Sequence, residues 1–99
     1  VGTLLSRLEQ FVPLLEDMGE DHFAAAFRQR IEVLRTGDRR ARRAVLRDIE
    51  GMLTGGSGSL PDRYLAHPDG SPDVERSDLF QSLAIKIRGQ AWRRRFLFS

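Results

Sequence analysis

Cysteine is absent from these 99 residues, lysine occurs once, at Lys86, and histidine only at His22 and His67. Without cysteine there is no disulfide framework and no thiolate metal site, a composition that suits a reducing compartment. No apolar run approaches the roughly 18 residues needed to cross a bilayer, so no membrane segment is expected. The first turns carry Arg7, Glu9, Glu16 and Asp17, which argues against a secretory signal. The expected location is the bacterial cytoplasm. Period-two alternation of useful length is missing, and so is any internal repeat. Helix is what remains.

Apolar residues make up 40% of the chain and charged residues 30%, the balance of a globular domain. The length predicts one domain over residues 1–99. The net charge is only +2, but it is unevenly spread. Residues 1–35 and 51–78 are acidic on balance, and residues 36–50 and 79–99 are basic. Such alternation draws parts of the fold together as readily as it draws an external polyanion.

Leu4, Leu5, Leu8, Phe11, Val12, Leu15 and Met18 recur at helical spacing, which predicts a first helix from Thr3 to Met18 with Thr3 as its N-cap. Pro13 falls inside it and predicts a kink or a break near Leu8–Glu9. Gly19 suits the left-handed residue after a helix end. Asp21 is the expected cap of a second helix over 22–35, with Phe23, Phe27, Ile31 and Leu34 as its apolar stripe. Arg28 and Glu32 are spaced to pair along it. Gly37 should end that helix and Asp38 should cap a third, Arg39–Leu53. Together these make a three-helix N-terminal part over 3–53. A Gly/Pro-rich loop over 54–76 follows, containing the turn chemistry of His67-Pro68-Asp69-Gly70-Ser71-Pro72. A last helix is predicted over 77–96, capped by Ser77 or Asp78.

The expected core is Leu5, Leu8, Val12, Leu15, Phe23, Phe27, Ile31, Leu34, Val45, Ile49, Leu83 and Ile87. The last helix is unusual in carrying apolar residues on two sides. Leu79, Phe80, Leu83, Ala84, Ile87 and Ala91 form one face, and Ile85, Trp92 and Phe96 lie opposite. A helix of this kind is either central in a bundle or covered by something else.

The stretch from Leu53 to Leu65 is rich in glycine: Gly55, Gly56 and Gly58, then Ser59 and Asp62. Glycine-rich loops can cradle phosphates. Here no lysine follows the glycines and no strand precedes them, so the P-loop and dinucleotide patterns both fail. The plain alternative is a connector that exploits glycine's conformational range. The stretch resembles a Gly-Gly-Met-Gly-Ser-(Leu/Phe)-Asn-Asp-hydrophobic signature in a group of small uncharacterised bacterial helical proteins. Gly19-Glu20-Asp21-His22-Phe23-Ala24 and the Gly37-Asp38 turn are similar to that group as well, so the likeness covers about residues 4–66. Ser57 stands where the group has Met and Pro61 where it has Asn, which argues against a polar role at position 61. The resemblance implies a small helical domain with a long central loop and no established activity.

Catalytic chemistry finds little to build on. Ser57 or Ser59 with His67 and Asp62 can be written as a triad, but flexible glycines do not hold such groups within hydrogen-bond reach. Glu16, Asp17, Glu20, Asp21 and His22 are clustered, yet they match neither an EF-hand loop nor an HExxH pair. No catalytic, cofactor or metal site is expected. Arg39, Arg40, Arg42, Arg43 and Arg47 form one basic cluster, and Arg93, Arg94 and Arg95 form another beside Trp92 and Phe96. Basic residues among aromatics suit nucleic acid, and the tight Gly37 turn could belong to a helix-turn-helix as well as to a simple hairpin. Tryptophan and arginine are also enriched where proteins bind proteins.

The sequence therefore predicts an all-α bundle of about four helices and a non-enzymatic interaction module of the bacterial adaptor or immunity-protein kind. Its expected partner is a protein, including a second copy of itself as a homodimer. Its expected contact residues are Ile85, Trp92, Arg93, Arg94 and Phe96, with Gly55, Gly56, Gly58, Ser59 and Asp62 as structural loop residues. Nucleic-acid binding through Arg39–Arg47 and Arg93–Arg95 is the alternative, and no membrane partner is expected.

Overall fold

Where apolar residues recur every three or four positions, the chain is helical: α1 Gly2–Asp17, α2 Asp21–Thr36, α3 Arg39–Leu53 and α4 Val74–Leu97. The computed structural model describes residues 2–54 and 65–97, with side chains from 3 to 54 and from 65 to 94. Among the described residues there is no strand; Ala66 and Pro72 form an isolated antiparallel bridge. The result is an all-α bundle about 46 Å long and 22 Å across. α4 packs against α1 and α3, α1 against α2, and α2 against α3.

Three phenylalanines tie the bundle together. Phe11 of α1 stacks on Phe80 of α4 with centroids 4.7 Å apart. The same ring meets Phe27 of α2 edge-on at 5.4 Å. All three are fully buried. Leu4, Leu8 and Leu15 of α1, Leu46, Ile49 and Leu53 of α3, and Ile87 of α4 complete the deepest layer, with Leu65 entering from outside the helices. Ten of the twelve expected core residues are buried, while Leu5 and Phe23 are only partly covered and pack on the core's edge.

Several local expectations change. Thr3 lies inside α1 rather than capping it. α1 runs unbroken through Pro13, whose ring is exposed, so the carbonyl that loses its helical donor lies on the solvent side. Asp21 is the first residue of α2, and Glu20 holds the N-cap position with no side-chain cap. Arg28 does not pair along its own helix. It reaches across to Glu16 at 2.5 Å, and Glu32 lies 3.9 Å from Arg35 instead.

The two helix junctions use glycine for different reasons. Gly19 has φ +78°. Its N–H donates to the Glu16 carbonyl at 3.0 Å, and the Glu20 N–H donates to the Leu15 carbonyl at 2.9 Å. That pair of bonds is the Schellman arrangement, which needs a left-handed residue at this point. Gly37 has φ −74°, which any residue can adopt, but its space is taken. A Cβ there would lie 2.6 Å from the Val33 carbonyl oxygen and 2.9 Å from its Cγ1. One residue later Asp38 caps α3, its carboxylate accepting from the Ala41 N–H at 2.8 Å. By contrast Gly51, inside α3, has nothing within 4 Å of the position a Cβ would occupy.

These differences predict opposite outcomes for one substitution. Gly37→Ala should destabilise the fold by about 1–3 kcal/mol through overpacking against backbone. Gly51→Ala should stabilise it by about 1 kcal/mol, since alanine is the better helix former and meets no obstacle. Urea melts followed by far-ultraviolet circular dichroism check both signs.

Candidate interaction surface

The register of α4 is set before the helix begins. Leu65 is buried and held twice by Ser77: its N–H donates to Ser77 Oγ at 2.8 Å, and the Ser77 hydroxyl donates back to its carbonyl at 3.2 Å. Between them the chain makes a small hairpin. The Gly70 N–H donates to the His67 carbonyl at 2.9 Å, the His67 N–H to the Ser71 carbonyl at 2.8 Å, and the Asp73 N–H to the Leu65 carbonyl at 2.9 Å. Pro68 presets the turn and Gly70 takes φ +91°. Asp69 accepts from both the Ser71 N–H at 2.9 Å and the Ser71 hydroxyl at 2.6 Å.

Asp73, not Ser77 or Asp78, caps α4. It is buried, its Oδ1 accepts from the Arg76 N–H at 3.1 Å, and its carbonyl accepts from the Ser77 N–H at 2.9 Å. The helix therefore starts at Val74, three residues earlier than the sequence predicts. Arg76 then pairs with Asp17 at the end of α1 and lies 3.9 Å from Asp73. His67 sits 3.7 Å from Asp73; Ser57, Ser59 and Asp62, with which a triad can be written but is not expected, lie outside the described residues.

With Phe80, Leu83, Ala84, Ile87 and Ala91 turned into the core, the opposite face of α4 has to point outward. It carries Ile85 at 65% exposure and Trp92 at 49%. Val74, eleven residues before Ile85, extends the same row at 63%. From Val74 to Trp92 the row spans about five turns, or about 27 Å. Leu79 is also exposed, at 47%, on the flank. Arg93 is exposed and Arg94 half-buried. The Phe96 side chain lies outside the described residues, as do Gly55, Gly56, Gly58, Ser59 and Asp62. The described residues leave Ile85 largely exposed and Trp92 about half exposed. Val74 escaped the sequence reading because the helix seemed to begin after it. The seven- and eleven-residue spacing was the available signal.

Beside this row is a cleft lined by Glu50 and Thr54 at the end of α3 and by Arg88, Gly89 and Trp92 of α4. An added Cβ at Gly89 meets nothing within 4 Å. A second groove lies between α1 and α2 over Val12, Pro13 and Ile31, but its rim charges pair across it, Glu9 with Arg35 and Glu16 with Arg28.

The two arginine clusters are not merged. The cleft puts Trp92 beside Thr54, at the far end of α3 from Arg39 and Arg40, roughly 20 Å away along the helix axis. Within the first cluster Arg39, Arg40 and Arg47 are exposed, while Arg43 is half-buried with its Nε out of solvent. Arg42 turns back, donating to the Arg35 carbonyl at 3.4 Å. The acidic group near the first junction is engaged in the same way, Glu16 with Arg28 and Asp17 with Arg76. Among the described residues no three His, Asp or Glu side chains gather as a metal site, and no helix is long and apolar enough to cross a membrane. No known family, curated protein or solved structure matches the chain.

The hairpin generates a pH prediction. The Ser71 hydroxyl, and then the Ser71 N–H, hold the Asp69 carboxyl below its ordinary value of 3.8, because both stabilise the charged form. The folded value is the lower one, so this contribution is complete above the unfolded pKa and disappears as pH falls through the folded one. Ser71→Ala should move the Asp69 titration back toward 3.8, read by carboxyl NMR; an unmoved titration would contradict the assigned bonds. Asp73→Ala should cost about 0.5–2 kcal/mol by removing the cap of α4, measured by thermal melting.

Proposed function

We propose that this protein is a non-enzymatic protein-interaction module, of the small bacterial adaptor or immunity-like kind, acting in the cytoplasm through the outward face of α4. The observation that supports this reading is the exposed row Val74–Ile85–Trp92, backed by a helix whose other side is fully committed to the core. Isolated exposed apolar residues are ordinary. An aligned row with a tryptophan beside arginine is the composition of a binding hot spot. The resemblance to small helical bacterial proteins fits this reading and adds no chemistry of its own.

Nucleic-acid binding is the second reading, favoured by the exposure of Arg39, Arg40 and Arg47 on α3. It is the weaker because Asp48 and Glu50 interrupt that helix and the second cluster lies apart. Its mark would be an affinity that falls steeply with salt.

Chemical cross-linking in native cell extract tests the leading reading. Tagged wild-type protein should retain a protein partner, another copy included, that Trp92→Glu and Ile85→Glu lose. Arg47→Glu should keep it. Retention by all four chains alike, or by none, overturns the assignment to α4. Nucleic acid bound at low salt and lost only in Arg47→Glu would install the second reading.

A further inference from the structure

The hairpin before α4 contains a chemically labile junction. Asp69 is followed by Gly70, the only Asp-Gly step in the chain, and asparagine is absent altogether. Where glycine follows aspartate, no side chain keeps the backbone nitrogen away from the carboxyl carbon. The turn nevertheless calls for both residues. Gly70 takes φ +91°, which favours glycine. The Asp69 carboxylate accepts from the Ser71 N–H and the Ser71 hydroxyl.

We propose that Asp69 is a site of spontaneous backbone isomerisation, protected while the hairpin is intact and reactive when it opens locally. This is independent of what α4 binds. The reaction consumes nothing but the water it first releases. The Gly70 nitrogen loses its proton and bonds to Cγ of Asp69, and the carboxyl hydroxyl departs as water, leaving a cyclic imide. Water then adds to either imide carbonyl. Opening on one side restores aspartate. Opening on the other gives isoaspartate, with the main chain routed through Cβ and Cγ and the former main-chain carbonyl left as a free carboxylate. Mass and charge are unchanged.

Three hydrogen bonds oppose ring closure in the folded chain. The Gly70 N–H donates to the His67 carbonyl at 2.9 Å. That bond fixes the Asp69–Gly70 peptide, and the ring closes only after the peptide turns about the Asp69 Cα–C bond. The other two hold Oδ1 of Asp69 to Ser71, at 2.9 Å from its N–H and 2.6 Å from its hydroxyl. They stabilise the carboxylate and keep the group below its ordinary range, whereas the form that loses water is the neutral acid. Residues 66–72 are all exposed, so water has access as soon as the turn opens. The rate then follows local opening of the hairpin.

The place of the site gives the product a structural effect. Below the turn the His67 N–H donates to the Ser71 carbonyl, and the Asp73 N–H donates to the Leu65 carbonyl. An extra main-chain carbon between Asp69 and Gly70 puts these two arms out of register. Asp73 caps α4, and buried Leu65 is held by Ser77. Isomerisation at the tip therefore loosens the anchor of α4.

Ageing the full chain, folded and in guanidinium chloride, tests the proposal, with isoaspartate located by electron-transfer fragmentation. The denatured chain should accumulate it at Asp69 ahead of the seven other aspartates, and Gly70→Ala should suppress it there. The folded chain should react about tenfold or more slowly, as a site that waits on local opening does. Folded Ser71→Ala should react about two- to tenfold faster than folded wild type, the effect of one hydrogen bond. Ser71→Thr keeps the hydroxyl and should keep the wild-type rate. The isolated isoaspartyl chain should melt at a lower temperature and exchange the Asp73 and Ser77 amides faster.

Equal rates in folded and denatured wild type overturn the proposal. So does a denatured chain in which Asp69 is no faster than the other aspartates. A Ser71→Ala chain that reacts at the wild-type rate removes the protective role of the carboxylate bonds. An isoaspartyl chain with unchanged Asp73 exchange and melting removes the link to α4.

Discussion

Phe11 stacks on Phe80 and meets Phe27 edge-on, so a single ring of α1 touches both α2 and α4. Each such pair contributes about 0.5–1.5 kcal/mol beyond the area it buries. Its larger effect is positional. Phe80 comes early in α4 and can enter the core in only one rotation of the helix. Once it does, Leu83, Ala84, Ile87 and Ala91 follow it inward at helical spacing. Asp73, Ser77 and Leu65 hold the start of the helix to the same rotation from outside the core. The direction of Ile85 and Trp92 is then a consequence: they are turned out because Phe80 is turned in.

The surface electrostatics are largely internal to the fold. Glu9, Glu16, Arg28 and Arg35 pair across the α1–α2 seam, and Arg76 joins the end of α1 to the beginning of α4. These are exposed pairs, each worth at most about 1 kcal/mol. They steer the packing of helices more than they stabilise it. The alternation of acidic and basic stretches along the chain thus serves contacts within it over much of its length. α4 differs in that its acidic start and basic end remain on the outer surface, together with the apolar row.

Much of this was legible in the sequence. The periodicity of Leu8, Phe11, Val12 and Leu15, or of Phe27, Ile31 and Leu34, has one reading, and Gly19 and Asp38 mark boundaries with a clear local mechanism. The second face of α4 was visible from the spacing of Ile85 and Trp92. What escaped depends on distant partners. Asp73 looks like a turn residue between Pro72 and Val74, and its capping role needs the hairpin that Leu65 anchors. Arg28 has a good partner four residues away and takes Glu16 instead, because the α1–α2 packing brings that carboxylate closer. Gly37 reads as a helix end in a tight turn, and the reason glycine is needed there, the neighbouring Val33 carbonyl, appears only in the packed structure. Whether a second apolar stripe is core or surface is also a tertiary fact, decided here by the single rotation that Phe80 permits.

That rotation can be read from the only tryptophan in the chain. Trp92 fluorescence at high dilution, with acrylamide as quencher, reports which way the outer face of α4 points in a single chain. An indole turned outward emits at long wavelength and is readily quenched. A short-wavelength emission that resists quenching at the lowest concentration would contradict this, since it would place Trp92 inside its own chain.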